Sequence, residues 1–423
     1  MNKRDRTGTM KVCLIVLLAV SAAAMLFRLA VYSDIGIPQL MGTDKDISSA
    51  SDGVTRGYAQ CAKPLAAAVT NSEGGRYGVR YDETAVEELY TRYSAALAEA
   101  LGSAGTPKQV GFDEWESALS GPGVFFDFVY AQPLGSLSAW LGSEVDGGIS
   151  EHTAARLCLS VSKDAVWLYY IRAKDANAYR CSTLATLSTD AAGFETNGAK
   201  FAFETGGNDG IDPYTLSAGG TIELQTVDAA NPLRVETDGN ALMEHFGMNS
   251  FIALTYAEPD GTKVYVDGDA ALRLSPDGTV SFRQNETGLL PANTDRLETV
   301  IDAAYRLADR VSTGYRGDCG LMLSSVTYSE SDAVFSVTFQ YTCNGLIVRL
   351  PDSRPAAEVT VSGGYITTCE IYLREYTAGE ERVFPLPEKQ AFALIAAEGG
   401  GEPLLCLIDE GGETVPDWVI FER

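Results

Sequence analysis

Leu297-Glu-Thr-Val-Ile-Asp-Ala-Ala-Tyr-Arg-Leu-Ala-Asp-Arg-Val311 is followed, after a short break, by the runs Leu321–Tyr328, Ala333–Thr342, Leu346–Leu350, Ala357–Val361 and Tyr365–Tyr376. In the first stretch Leu297, Val300, Ile301, Ala304, Leu307 and Val311 recur at helical spacing, so one face is apolar and the segment reads as an amphipathic helix beginning near Asn293 or Thr294. The runs after it are rich in β-branched and aromatic residues, which fit a pleated surface. One helix followed by consecutive strands, without regular strand–helix alternation, predicts an antiparallel sheet packed on a helix and an α+β class.

The same theme recurs on both sides. Val86, Leu89, Tyr90, Tyr93, Leu97 and Leu101 mark a helix over 84–101, with Thr84 and Glu87 as a capping box and Gly102 as its stop. A short helix at Phe112–Leu119, a strand at Val124–Tyr130, a short helix at Leu134–Leu141 and a meander of Ala155–Val161, Ala165–Arg172 and Ala178–Thr186 complete a first module. A short helix at about Asn240–Phe246 and strands at Lys263–Val266, Ala270–Leu274 and Thr279–Arg283 open the second. Ser275-Pro-Asp-Gly278 turns between the last two. Toward the end, Pro387–Ala397 reads as a helix with proline in its first turn, and Leu404–Asp409 and Trp418–Glu422 as strands. Two α+β domains, 82–240 and 241–423, are expected, preceded by a spacer over 33–81 rich in Gly, Ser, Asp and Thr.

Before the spacer, Lys3, Arg4, Arg6 and Lys11 lie in a basic tail (1–11), and Val12–Phe27 carries no charge. With Leu29–Tyr32 the apolar reach is about twenty residues, enough to span a bilayer. Segment 12–32 is therefore expected to be a transmembrane anchor of a single-pass cell-membrane protein, N-terminus cytoplasmic and bulk extracellular. Arg28 near its far end can snorkel to the headgroups. A cleaved signal peptide, with Ala22-Ala23-Ala24 as its processing site, is the competing reading, and it also exports the remainder. Ala19, Ala22 and Ala23 are the small residues on which a second membrane helix would pack.

Lys plus Arg number 32 against 57 Asp plus Glu, a formal net charge of -25. Such a chain repels nucleic acid and anionic lipid. The eight cysteines are scattered singly, which predicts buried, unpaired thiols, with Cys158 and Cys181 left open as a pair on neighbouring strands. His152 and His245 are the only histidines, so a His-rich metal site is excluded.

Ser160-Val-Ser-Lys163 matches an S-x-x-K nucleophile motif but falls in an expected turn between strands, where the required helix start is missing. The loop 208–212 and the pair Asp267 and Asp269 lack calcium-loop spacing and read as solvated turns. Phe125, Phe126, Phe128 and Tyr130, like Trp167, Tyr169 and Tyr170, read as core strand, or as the wall of a groove for a peptide or lipid. No catalytic, cofactor-binding or metal-binding residue is expected.

Phe339-Gln-Tyr341, Asn344-Gly-Leu-Ile-Val348, Gly363-Gly-Tyr-Ile366, Leu386-Pro-Glu-Lys-Gln-Ala391 and Val415-Pro-Asp-Trp418 resemble the YycH and YycI regulatory proteins over residues 290–423 plus the anchor. That resemblance implies a single-pass protein with an α+β, PepSY-like exterior that adjusts a sensor histidine kinase of a two-component system in Gram-positive bacteria. It also implies kinase contact through the transmembrane helix and the exterior, together with a related accessory protein. The expected function is thus non-enzymatic regulation linked to cell-envelope homeostasis. An exported wall-active enzyme using a carboxylate pair, or a peptide- or lipid-binding module, is the alternative.

Overall fold

The computed structural model describes residues 59–423, apart from 146–147, 164, 191–192, 207–209 and 286–287. The anchor, with Ala19, Ala22 and Ala23, lies outside the described residues. Among these residues no helix is long and apolar enough to cross a membrane.

A first, fully antiparallel sheet is built from β1 (Ala66–Thr70), β2 (Arg76–Arg80), β3 (Lys108–Val110), β4 (Gly123–Pro133), β5 (Thr153–Ser162), β6 (Ala165–Arg172) and β7 (Ala178–Ser182) in the order β2-β1-β4-β5-β6-β7-β3. Both of its faces are covered. Helix α1 (Glu83–Gly102) buries Val86, Leu89, Tyr90, Tyr93, Leu97 and Leu101, the face marked by the sequence. Burying each of these large side chains stabilises the fold by about 1.5–3 kcal/mol. Helix α2 (Phe112–Ser120) inserts Trp115 and Leu119 on the other face, and α3 (Leu134–Trp140) closes one end. Because strand side chains alternate, Phe126 and Phe128 meet the α1 side while Phe125 meets the α2 side.

Between the sheets run β8 (Lys200–Phe201), β9 (Leu216–Ser217), β10 (Leu224–Ala230) and α4 (Gly239–His245). The second sheet takes β11 (Leu254–Ala257), β12 (Lys263–Asp267), β13 (Ala270–Leu274), β14 (Thr279–Arg283), β15 (Gly320–Ser329), β16 (Val334–Cys343), β17 (Leu346–Arg349), β18 (Ala357–Ser362) and β19 (Tyr365–Tyr372). After these, β20 (Glu375–Val383) pairs with β10, and β21 (Glu402–Asp409) and β22 (Thr414–Phe421) complete the second sheet. The order is β11-β12-β13-β14-β19-β18-β16-β17-β21-β22, with β15 on β16 and one parallel pair, β17 with β21. Helix α5 (Leu297–Ser312) buries Val300, Ile301, Ala304, Leu307 and Val311. Helix α6 (Glu388–Ala397) follows β20. One core cluster runs through both sheets, from Phe126 to Val337, and the described residues belong to one compact unit.

The meander β5-β6-β7 and the mixed α+β class agree with the sequence reading. Four expectations need correction. The spacer over 33–81 does not extend through its last part, because Ala66–Thr70 and Arg76–Arg80 pair antiparallel and lay buried alanines and valines against β4. The capping box at Thr84 and Glu87 is replaced by Asp82, whose side chain accepts the Ala85 amide at 3.0 Å. The run Tyr365–Tyr376 breaks at Leu373-Arg374, where buried Arg374 pairs with Asp409 at 2.7 Å and Tyr376 donates to the same carboxylate at 2.8 Å. Last, Cys319 and Cys343 form a disulfide, 4.6 Å between Cα atoms, closing the end of the β15–β16 hairpin where Gly320 faces Thr342. Cys158 and Cys181 are not on neighbouring strands: one packs with Tyr169 and the other with Leu168, on opposite faces of the first sheet.

Candidate functional site

β4 reads GVFFDFVYAQP and β5 reads TAARLCLSVS, each with one charge inside an apolar run. A buried charge is costly unless paired, and the sheet register sets Asp127 opposite Arg156. Arg156 Nε donates to Asp127 at 3.1 Å, Nη1 to Asp212 at 2.7 Å, and Nη2 lies 2.9 Å from Glu402 at the start of β21. Arg423 completes the group: its Nη2 reaches Asp127 at 2.8 Å, its Nη1 donates to the Val129 carbonyl at 2.9 Å, and its Nε bonds Glu402. Burial alone would raise the Asp127 carboxyl, but the Arg423 and Arg156 guanidiniums overcome it and hold the group well below the usual carboxylate range. These ion pairs join the first sheet to the last strands of the second.

Asp212 enters from the loop between β8 and β9. Its amide donates to the Gly401 carbonyl at 2.9 Å, and Gly401 donates to Gly210 at 2.7 Å. The two loops meet so closely that a Cβ on Gly400, which has φ +84, would collide with the Gly210 carbonyl, so glycine is required there.

Beside the ion pairs, β4 and β5 are both irregular. The register shifts between Asp127 and Gln132 and again between Ala154 and Leu157. Val129, a β-branched residue, holds φ 64, a strained conformation costing about 1–3 kcal/mol. Its amide is taken by Asp127 Oδ1 at 2.8 Å and its carbonyl by Arg423. These adjoining bulges turn Val129, Ala131 and Ala155 toward an open cleft of about 500 Å³. Ile171, Tyr214 and Phe421 extend its apolar wall, with Phe112 and Glu422 at the mouth. A cleft of this size and lining, beside convergent charged groups, has the character of a small-molecule site.

Away from the cleft, Asp302 on α5 is pushed up to about 6 by burial, against the hydrogen bond it accepts from Trp140 Nε1 at 2.9 Å, with Glu298 one turn earlier adding to the rise. This carboxylate lies in the contact between α3 and α5 and does not line the cleft.

Ser160 lies inside β5, and Lys163 sits in the β5–β6 turn with φ 51, so no helix start joins them. Burial and the Arg172 charge lower His152, which packs on Tyr170 and Tyr179. Its Nδ1 is 2.7 Å from the Tyr170 hydroxyl. His245 ends α4, so the two histidines occupy different elements. Asp267 accepts the Asn249 amide at 2.8 Å. Among the described residues no group of three or more His, Cys, Asp or Glu side chains is placed to hold a metal ion. Asp212, read as part of a solvated turn, instead closes the ionic group. Asp127 and Arg156 were not singled out by sequence reasoning, although a lone acid and a lone base inside two apolar strands are the signal that would have found them.

A second surface stands at the far edge of the second sheet. Gly247-Met-Asn-Ser-Phe-Ile-Ala-Leu-Thr-Tyr-Ala257 carries no charge, and it ends in edge strand β11. Phe251 is 96% exposed, Ile252 66%, Leu254 72% and Tyr256 51%. Asn249 holds the turn, accepting the Phe251 amide on its side chain at 3.0 Å and the Ala253 amide on its carbonyl at 3.1 Å. Local bonds thus fix the apolar side chains outward.

The chain matches no protein-family model, no curated protein and no solved structure.

Proposed function

We propose that this chain is a membrane-tethered, extracytoplasmic accessory protein that binds the exterior of a sensor histidine kinase and biases its conformation, without chemistry of its own. The observation that carries the reading is the exposed, charge-free stretch 247–257 ending in edge strand β11. An edge strand offers unpaired amides and carbonyls to a partner strand. Burying Phe251, Ile252 and Leu254 adds on the order of 1.5–3 kcal/mol each before ordering costs. In a chain of net charge -25, an uncharged stretch is where a partner meets least repulsion.

Support comes also from the resemblance of residues 290–423 to YycH and YycI, from the basic tail and apolar segment at the N-terminus, and from the Cys319–Cys343 disulfide, which suits an oxidising exterior. The test is capture of the full chain with the kinase from membranes containing both. Replacing Phe251 and Leu254 together by lysine is expected to lower kinase recovery about tenfold while leaving the protein folded. Undiminished recovery, or a second copy of this chain in the kinase's place, contradicts the reading.

A further inference from the structure

We infer that the cleft between the two sheets binds a small amphipathic cation, an apolar body bearing one amine. This goes beyond the kinase-binding reading and uses a different surface. The cleft, about 500 Å³, is large enough for a bicyclic aromatic ligand. Its walls at Val129, Ile171, Tyr214 and Phe421 favour an apolar body, and Phe112, 45% exposed at the mouth, offers a face for aromatic stacking.

The charge at the cleft selects the head group. Three guanidiniums line it, yet each is already engaged by carboxylates. Arg172 Nε donates to Asp175 at 3.1 Å, and its Nη1 is 3.1 Å from His152. Arg156 is ion-paired with Asp127, Asp212 and Glu402, although its buried Nη2, 2.9 Å from Glu402, makes no hydrogen bond, and Arg423 bonds Asp127, Glu402 and the Val129 carbonyl. An anion would therefore have to compete with a carboxylate already ion-paired to the guanidinium it approached, at the cost of leaving that carboxylate unpaired. A cation would not. The central group sets three carboxylates, Asp127, Asp212 and Glu402, against Arg156 and Arg423, and Glu422 at the mouth adds another. Asp212, its side chain 27% exposed, is the member of the group that a ligand in the cleft meets first. Tyr214 and Phe421 already face the Arg156 and Arg423 guanidiniums at 5.9 and 6.0 Å, so the aromatic attraction left for a ligand cation is that of Phe112 at the mouth.

The test is equilibrium dialysis of the full chain in phosphatidylcholine nanodiscs, with empty nanodiscs as the control, against naphthylethylamine, naphthylethanol and naphthylacetate. The amine is expected to bind most tightly and to exceed the carboxylate at least about tenfold. Glu422→Gln narrows that preference, and Ala173→Trp, a surface change that fills the cleft from its rim, removes binding of the amine. Absence of amine binding, a preference for the carboxylate, or unchanged binding in Ala173→Trp overturns the inference. Kinase capture through 247–257 is unaffected by either variant, so the two proposals fail separately.

Discussion

Arg156 is the residue on which the most charge depends, since Asp127, Asp212 and Glu402 all point at it. Replacing it with leucine leaves three carboxylates facing one remaining guanidinium, and the loss of stability is expected at about 3–5 kcal/mol; a loss below about 1 kcal/mol in urea unfolding contradicts the assignment. Asp302 has the opposite sign. Its folded-state value is raised to about 6, so the native state holds the proton more tightly than the unfolded chain, and stability falls as pH rises from about 4 through about 6. Asp302→Asn keeps the acceptor for Trp140 and removes the titration. With the side chain half-buried and partly screened, the variant is expected to be more stable by about 1–2 kcal/mol at pH 7.5 and no more stable at pH 4; unfolding curves at the two pH values, equal in their difference from wild type, refute this. At this scale the sequence was only half legible. The helix faces of α1 and α5 announced themselves through spacing, whereas the partners of Asp127 and Arg156 depend on strand register and on chain segments some 50 to 300 residues away.

At the scale of elements, period and turn chemistry carried the reading where a segment packs against one neighbour. Strands β6, β13 and β14 fall where β-branched runs and turn residues place them. It failed where pairing is decided elsewhere: β1 is a run of three alanines whose strand character comes from lying between β2 and β4, and β20 leaves its own hairpin partner to pair with β10. The disulfide belongs to the same class, since Cys319 and Cys343 meet only after β15 and β16 align, past a register shift between Leu323 and Ser325. Closing a loop with a sequence separation of 24, it is expected to stabilise by about 3 kcal/mol. A Cys319→Ser, Cys343→Ser double variant should therefore unfold at lower urea and become insensitive to reductant. Equal midpoints for wild type with and without reductant contradict the bond's contribution. The cleft is an element-scale feature as well: two adjoining bulges, invisible in composition, open it.

Among the described residues, a two-faced sheet covered by helices on both sides joins a second sheet through ion pairs and a shared core, and the apolar, charge-free edge at 247–257 stays uncovered. The α+β class was readable from segment order alone. What an exposed edge is for was not, because exposure belongs to the assembled sheet, and an apolar stretch such as Phe251–Tyr256 does not itself say which neighbours will cover it. The most direct measurement of kinase binding through this edge is site-specific photocrosslinking from position 254 of the full chain in membranes that also contain the kinase. An adduct with the extracytoplasmic part of the sensor histidine kinase is expected, lost when Phe251 is replaced by lysine. Adducts confined to a second copy of this chain, or none to the kinase while the protein is intact and membrane-bound, would contradict it.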